Sequence, residues 1–249
     1  MTEILYGRHP VKEALKAGRP LNKILVARGL GGPMFQEIRS LAVARGIPVQ
    51  LVDREALDRL TAHGVHQGYL AFAAGKEYAT VDDILNKAQE QPLIMVLAHI
   101  TDPRNLGAIL RTSVAAGADG VIIPTRRAAG LTGEVAKAAA GALEHIPVAR
   151  VTNISRTLRY LKERGLWVVG AEADAPAVLW DVKLTGPLAL VIGGEATGLG
   201  RVVQKECDHL VRIPILGKIT SLNASVAAAL VLYEVIRQRR ETDARDNHR

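Results

Sequence analysis

The sequence predicts an α/β protein in two parts, a small N-terminal α/β unit and a larger unit built on a parallel sheet. Three observations carry this. From Leu93 onward, short and nearly continuous apolar runs alternate with helical segments, as expected of strands buried on both faces beneath covering helices. Before residue 76 the same alternation recurs in shorter elements with a basic excess. Between the two, residues 76–91 are polar and stop at Pro92, which reads as a linker with a short helix. The division is therefore 1–75, linker 76–91, and 92–249.

In chain order, the first part reads as helix 10–17, strand 24–26, helix 33–45 opened by Pro33, strand 49–52, helix 54–61 and strand 68–73. Gly29, Gly31 and Gly32 precede Pro33 but lack the Gly-Lys-Ser/Thr ending of a phosphate loop, so they read as a turn. His63, His66 and Gln67 stand in a loop before the last strand, where RNA contact and a plain structural role are both open. Too few partners accompany them for a metal site. In the second part, strands are expected at 93–98, 120–123, 148–151, 167–171, 188–192 and 210–213. Helices are expected at 106–116, 133–140, 155–164 and 201–207, with a last helix starting at Ser221 and running to Arg239. Ligands of such sheets bind beyond the carboxyl ends of the strands.

Composition narrows the function. A length of 249 residues, 48% hydrophobic, can bury one large or two modest cores. The single cysteine, Cys207, excludes an intramolecular disulfide and a Cys-cluster zinc site and fits a reducing compartment. No basic segment leads into an apolar one at the start, and no run approaches the ~20 apolar residues of a membrane span. The expectation is a soluble, cytoplasmic protein without metal. The net charge is +7, and residues 1–76 hold 11 Lys/Arg against 6 Asp/Glu, so most of the excess lies in the first third. A basic module of that size suits a polyanion such as RNA. An aromatic content of 4% argues against recognition by many stacked bases.

Three stretches carry chemistry. In 101–112, Asn105 is placed to cap a helix and Arg111 follows six positions on, on an otherwise apolar element where an arginine needs an anion, a carbonyl or a partner such as Glu195. In 191–200, Gly193, Gly194, Gly198 and Gly200 surround Glu195 after an apolar strand, allowing a ligand to approach the backbone closely or simply forming a tight turn. In 213–234, Ile213 ends a strand, Ser221 reads as an N-cap, and Asn223 and Ser225 follow within the first turn of a helix apolar nearly all round. This is either a capped core helix or a polar mouth for an electron-rich ligand.

In this order and at these spacings, the three stretches resemble the signature motifs of the SpoU/TrmH class of SPOUT RNA 2′-O-ribose methyltransferases. Tyr6-Gly7-Arg8-His9-Pro10, His66-Gln67-Gly68, Gly141-Ala142-Leu143-Glu144-His145-Ile146-Pro147 and Val151-Thr152-Asn153 resemble the bacterial 23S rRNA guanosine 2′-O-methyltransferase subgroup, the RlmB type. The likeness covers the full length. It implies a deep trefoil knot in the C-terminal sheet, against the usual rule that chains do not thread their own loops, and a homodimer formed through that knotted domain. It implies S-adenosylmethionine bound by the backbone at Gly193, Ile213 and Leu222, and 23S rRNA as substrate. It also implies a catalytic group of Arg111, Glu195, Asn105, Ser221 and Asn223. Arg111 would be the general base, but a guanidinium holds its proton at neutral pH, so an orienting and electrostatic role ranks at least level. Glu195 would orient Arg111 or the hydroxyl, Asn105 would hold ribose or phosphate, and Ser221, Asn223 and Ser225 would shape the pocket. A tRNA methyltransferase of the same class, and a catalytically silent RNA-binding assembly factor, are the alternatives.

Overall fold

The computed structural model describes residues 2–194 and 198–246. The first strand, β1 (Thr2–Tyr6), was not anticipated; its five residues carry too little periodicity to stand out. Then come α1 (Arg8–Lys16), β2 (Leu21–Ala27), α2 (Pro33–Ala44), β3 (Val49–Val52), α3 (Arg54–Leu60), β4 (Tyr69–Ala74) and the linker helix α4 (Val81–Lys87). The remainder runs β5 (Leu93–Ala98), α5 (Pro103–Ala115), β6 (Gly120–Pro124), α6 (Gly133–Ala138), β7 (Val148–Val151), α7 (Ile154–Glu163), β8 (Trp167–Ala171), β9 (Ala177–Val178), β10 (Leu188–Gly193), α8 (Arg201–Gln204), β11 (His209–Arg212) and α9 (Ala224–Asp246), with single 3₁₀ turns at Ala142–His145 and Leu179–Asp181.

The compact units do not follow the linear order. One consists of Met1–Glu77 together with Gly130–His145, the other of Tyr78–Ala129 with Ile146–Arg249. In the first, four strands lie in the order β1-β4-β2-β3, with β4 antiparallel to both its neighbours and β2 parallel to β3. The returning segment closes this unit. A Cβ on Gly133, the first residue of α6, would lie 2.2 Å from the carbonyl oxygen of Ile4 in β1, so only glycine permits that approach. Beneath it is a buried charge cluster. Arg19 pairs with Glu3 and, at 2.9 Å, with Glu144, and its Nε and Nη2 donate to the Ala74 carbonyl at 3.0 and 2.7 Å. Helix α6 ends at Ala138, short of the expected residue 140, because Ala140 and Gly141 turn left-handed at φ 51° and 94°.

His66, 2% exposed, has a structural part in its loop. Its Nδ1 accepts from the Gly68 N–H at 3.0 Å, so the proton sits on Nε2, which donates to Asp58 at 2.9 Å. Gln67 accepts from the Arg8 N–H at 3.2 Å and so ties the same loop to the start of α1.

In the second unit, seven strands lie in the order β7-β6-β5-β10-β8-β11-β9, and every pairing is parallel. Strands β5 and β6 are buried throughout, which accounts for their unbroken apolar sequences. The late strand β10 sits between β5 and β8, so the carboxyl ends of β5, β10, β8 and β11 converge at Ala98, Gly193, Ala171 and Arg212. Helix α8 stops at Gln204, short of the expected 207, because the chain must turn there to pair the Asp208 N–H with Val168 O at 2.8 Å and enter β11. No helix among the described residues is long and apolar enough to cross a membrane.

Helix α9 is buried on one face only. Ala228, Val231, Leu232 and Val235 are at most 1% exposed, whereas Val226, Leu230 and Tyr233, spaced i, i+4 and i+7, are 47%, 38% and 51% exposed. The helix that reads as apolar nearly all round is thus covered within the chain on one face and leaves a second apolar face exposed. Arg239 does not project into solvent but donates to the carbonyls of Pro92 and Gly186, holding α9 to the amino ends of the strands.

Cys207 is half-buried, and burial, followed by the charge of Asp208, pushes its thiol up to about 12. The thiolate is the reactive form, so native protein at pH 8 is expected to resist iodoacetamide, with ordinary reactivity returning in urea. Rapid alkylation of the folded chain, read by mass spectrometry, would refute this.

Candidate active site

The converging strand ends leave a cavity of about 340 Å³, within the usual range for a small-molecule site. Its walls are Ile192, Gly193, Gly194 and Gly198 after β10, Ala171 to Ala173 after β8, Val211, Ile213 and Ile215 after β11, and Ser221, Leu222, Ala224 and Ala227 at the head of α9. The four predicted residues Gly193, Ile213, Ser221 and Leu222 therefore meet at one place. The site is lined mostly by backbone and short apolar side chains. Glu172 is the one ionisable group among its described lining residues.

Two glycines are required sterically. A Cβ on Gly193 would lie 2.2 Å from the carbonyl carbon of Gly198, and one on Gly194 would lie 2.5 Å from the carbonyl oxygen of His99. His99 itself is held at φ 66°, an unusual conformation for a non-glycine residue, directly after β5. The turn closes through the Gly198 N–H, which donates to Gly194 O at 2.9 Å. Glu195, placed in this turn by the sequence, lies outside the described residues.

The helix caps differ from expectation. Asp102, not Asn105, caps α5, its carboxylate accepting from the Arg104 N–H at 2.8 Å with Pro103 as first helical residue. Helix α9 begins at Ala224, so Ser221 belongs to the preceding loop. Asn223 takes the cap, its Oδ1 accepting from the Ser225 N–H at 2.9 Å and from Ser225 Oγ at 2.6 Å. Both shifts free polar groups for other work. Asn105 stands one turn into α5, where its Oδ1 accepts from Asn223 Nδ2 at 3.0 Å, joining the first and third motifs beside the cavity-lining Leu222 and Ala224.

The burial expected of Arg111 is not observed. The residue is exposed, off the buried face formed by Leu106, Ile109 and Leu110, and it forms no ion pair with any described residue. It does not line the cavity. Sequence reasoning missed Glu172, which sits just past the carboxyl end of β8 and was hidden in the unremarkable run Ala-Glu-Ala-Asp. Among the described residues, no group of three or more His, Cys, Asp or Glu could hold a metal ion.

A cavity at the carboxyl ends of β8, β10 and β11 in a wholly parallel sheet is the kind of place where α/β proteins bind small ligands. Residues 92–233 match the SpoU rRNA methylase family and residues 4–79 match the RNA 2′-O ribose methyltransferase substrate-binding family. The chain belongs to the SpoU rRNA methylase family. It is 49% identical over 240 residues to YacO of Bacillus subtilis, a protein of the TrmH tRNA/rRNA methyltransferase family, covering 95% of this chain and 96% of that one. A TrmH-family protein of Staphylococcus aureus (strain COL) is 45% identical over 241 residues, covering 96% and 97%. The solved structure of the SpoU methyltransferase AviRb from Streptomyces viridochromogenes superposes with a TM-score of 0.83 at 26% identity, covering 97% of this chain and 91% of that one. An AdoMet-bound rRNA methyltransferase from Sinorhizobium meliloti gives 0.80 at 26% identity, covering 95% and 87%. The protein is an RNA methyltransferase with S-adenosylmethionine as cofactor.

Proposed function

We propose that the protein methylates the ribose 2′-hydroxyl of a guanosine in 23S rRNA, acting as a homodimer through a C-terminal unit threaded as a trefoil knot. The observation that carries the active-site reading is the Asn105–Asn223 hydrogen bond, which brings two of the three motifs together beside the cavity walls formed by Ser221 and Leu222. The choice of rRNA guanosine rests on the motif likeness around Tyr6-Gly7-Arg8-His9-Pro10 and on the basic excess of residues 1–76. The unpartnered Val226, Leu230 and Tyr233 stripe of α9 supports a second copy as its cover.

When bound, S-adenosylmethionine supplies a methyl group on a sulfonium. The residues present fit it: the glycine cradle admits close approach, and backbone groups at Gly193, Ile213 and Leu222 would hold its adenine end. Asn105 and Asn223, each with amide donors and an acceptor, would hold the substrate ribose or phosphate. Arg111, a cation at neutral pH, orients the substrate by charge and N–H donors, with Glu195 as its partner or the hydroxyl's. Ser221 and Ser225 shape the mouth of the site. Most of the rate comes from positioning the hydroxyl in line with the departing group.

Mass-spectrometric mapping of 2′-O-methylation in a strain lacking the gene tests the substrate: one 2′-O-methylguanosine should vanish from 23S rRNA. An unchanged rRNA map beside an altered tRNA map would assign a tRNA substrate. Arg111→Ala should slow turnover by about 100-fold or more while calorimetric cofactor affinity stays within a few-fold, and loss of that affinity would refute the division of roles. Light scattering tests the dimer, which a monomeric protein would rule out.

A further inference from the structure

We propose that Glu172 reads the ribose of the cofactor, accepting hydrogen bonds from its 2′- and 3′-hydroxyls. The inference rests on S-adenosylmethionine occupying the cavity at the strand ends, and it assigns a residue that lies outside the three motifs.

The carboxylate of Glu172 is fixed through one oxygen only. Oε2 accepts from the Leu199 N–H at 3.0 Å and from Gln204 Nε2 at 3.1 Å. A carboxylate offers about four acceptor positions, two on each oxygen, so these two donors saturate Oε2. Oε1 accepts from no described residue, although Glu172 forms part of the cavity wall. What is left, two lone pairs on one immobilised oxygen, matches what a cis-diol presents, two O–H donors side by side.

The surroundings sharpen the match. Apart from Glu172, Ser221 supplies the one polar side chain among the described lining residues. Backbone carbonyls aside, a ligand hydroxyl in this cavity finds its side-chain acceptors in Glu172 and Ser221, and a buried hydroxyl without a partner is costly. The carboxylate also stands over the glycine turn: a Cβ on Gly198 would lie 2.8 Å from both of its oxygens. An acid just beyond a strand end, next to a glycine turn, is also how dinucleotide-binding sheets hold ribose, on a different connectivity. A purely structural role, clamping Leu199 and Gln204, uses Oε2 alone and leaves Oε1 unexplained.

Isothermal titration of S-adenosylhomocysteine and its 2′,3′-dideoxy counterpart into wild type, Glu172→Gln and Glu172→Ala separates the two roles. Wild type should prefer the ribose ligand by roughly 10- to 100-fold, the scale of hydrogen bonds to a charged acceptor. In Glu172→Gln the amide oxygen can keep the Leu199 bond while its NH₂ replaces Oε1. The preference should then collapse to within about threefold through weaker binding of the ribose ligand alone. Glu172→Ala should lose the preference as well and, with the clamp gone, weaken both ligands; melting temperatures confirm that the variants are folded. Equal weakening of both ligands by Glu172→Gln, or a wild type that does not distinguish them, overturns the ribose assignment and leaves the cofactor assignment standing. A wild type that binds neither ligand overturns both.

Discussion

Replacing Arg19 with alanine is expected to destabilise the N-terminal unit by about 3–5 kcal/mol, the range for breaking a buried ion pair from one side. The arginine side chain is 5% exposed, and its partners Glu3 and Glu144 are 14% and 4% exposed. Removing the guanidinium strands Glu3 and the Ala74 carbonyl and leaves Glu144 with its longer ion pair to Lys76, at 3.5 Å. Glu3 Oε1 already lacks a hydrogen-bond partner in the folded unit. Replacing Arg19, Glu3 and Glu144 together by apolar residues of similar volume should be far milder, because no buried charge is left behind. Circular dichroism on heating would show Arg19→Ala melting in an early separate step, since the two units need not unfold as one. A single transition at the wild-type temperature would contradict the burial argument.

The second large effect is expected at the cofactor site, where Gly193→Ala should abolish detectable S-adenosylmethionine binding. The new methyl would stand 2.2, 2.4 and 2.6 Å from Gly198 C, Gly198 O and Leu199 N, all backbone atoms with no rotamer to yield. The turn must move, taking with it the Leu199 N–H that Glu172 holds. Overpacking of this kind costs about 1–3 kcal/mol in stability, so the protein should remain folded while its site is lost. Gly31→Ala is the matched control, with nothing within 4 Å of the added methyl and no positive φ to oppose it. Calorimetry on the pair should show binding lost in one and retained in the other. Unimpaired binding by Gly193→Ala would mean that the turn is not part of the site.

Strand β5, buried throughout, falls on the expected residues because in a covered parallel sheet hydrophobicity alone marks both ends. Strands β3, β7 and β8 fall on the expected residues as well, although each carries exposed positions such as Arg150 and Trp167. Elements settled by tertiary contact were not legible. Strand β1 is recognisable only through its pairing with β4, and β9, two residues long, only through β11. Cap positions slipped for a related reason. Asp102, Asn105, Ser221 and Asn223 can all cap, and which of them does depends on where the preceding strand releases the chain. At the site, Gly193 and Ser221 stand out as part of a glycine cluster and as a polar break in an apolar stretch, whereas Ile213 and Leu222 are assigned to the cofactor only through the resemblance to the SpoU/TrmH class. Glu172 does not stand out, since a glutamate among alanines carries no sign of which oxygen will be left over. Arg111 was expected to be buried because its helix is apolar, yet at that turn its side chain points off the buried face.

The split origin of the N-terminal unit has a consequence for how the protein is made. Its sheet is complete once residue 77 has left the ribosome, but α6, which covers β1, and Glu144, the second carboxylate partner of Arg19, arrive only with residues 130–145. At about 5–20 residues per second, the gap is roughly 3–14 s. For that time the nascent chain carries a first strand without its covering helix, an arginine with one of its two carboxylate partners and most of the protein's positive charge. The module that handles RNA in the finished enzyme therefore cannot mature ahead of the methylase part. Its last structural piece is encoded inside the segment that matches the methylase family, so synthesis itself delays a competent RNA-binding unit until the catalytic sheet is already under construction.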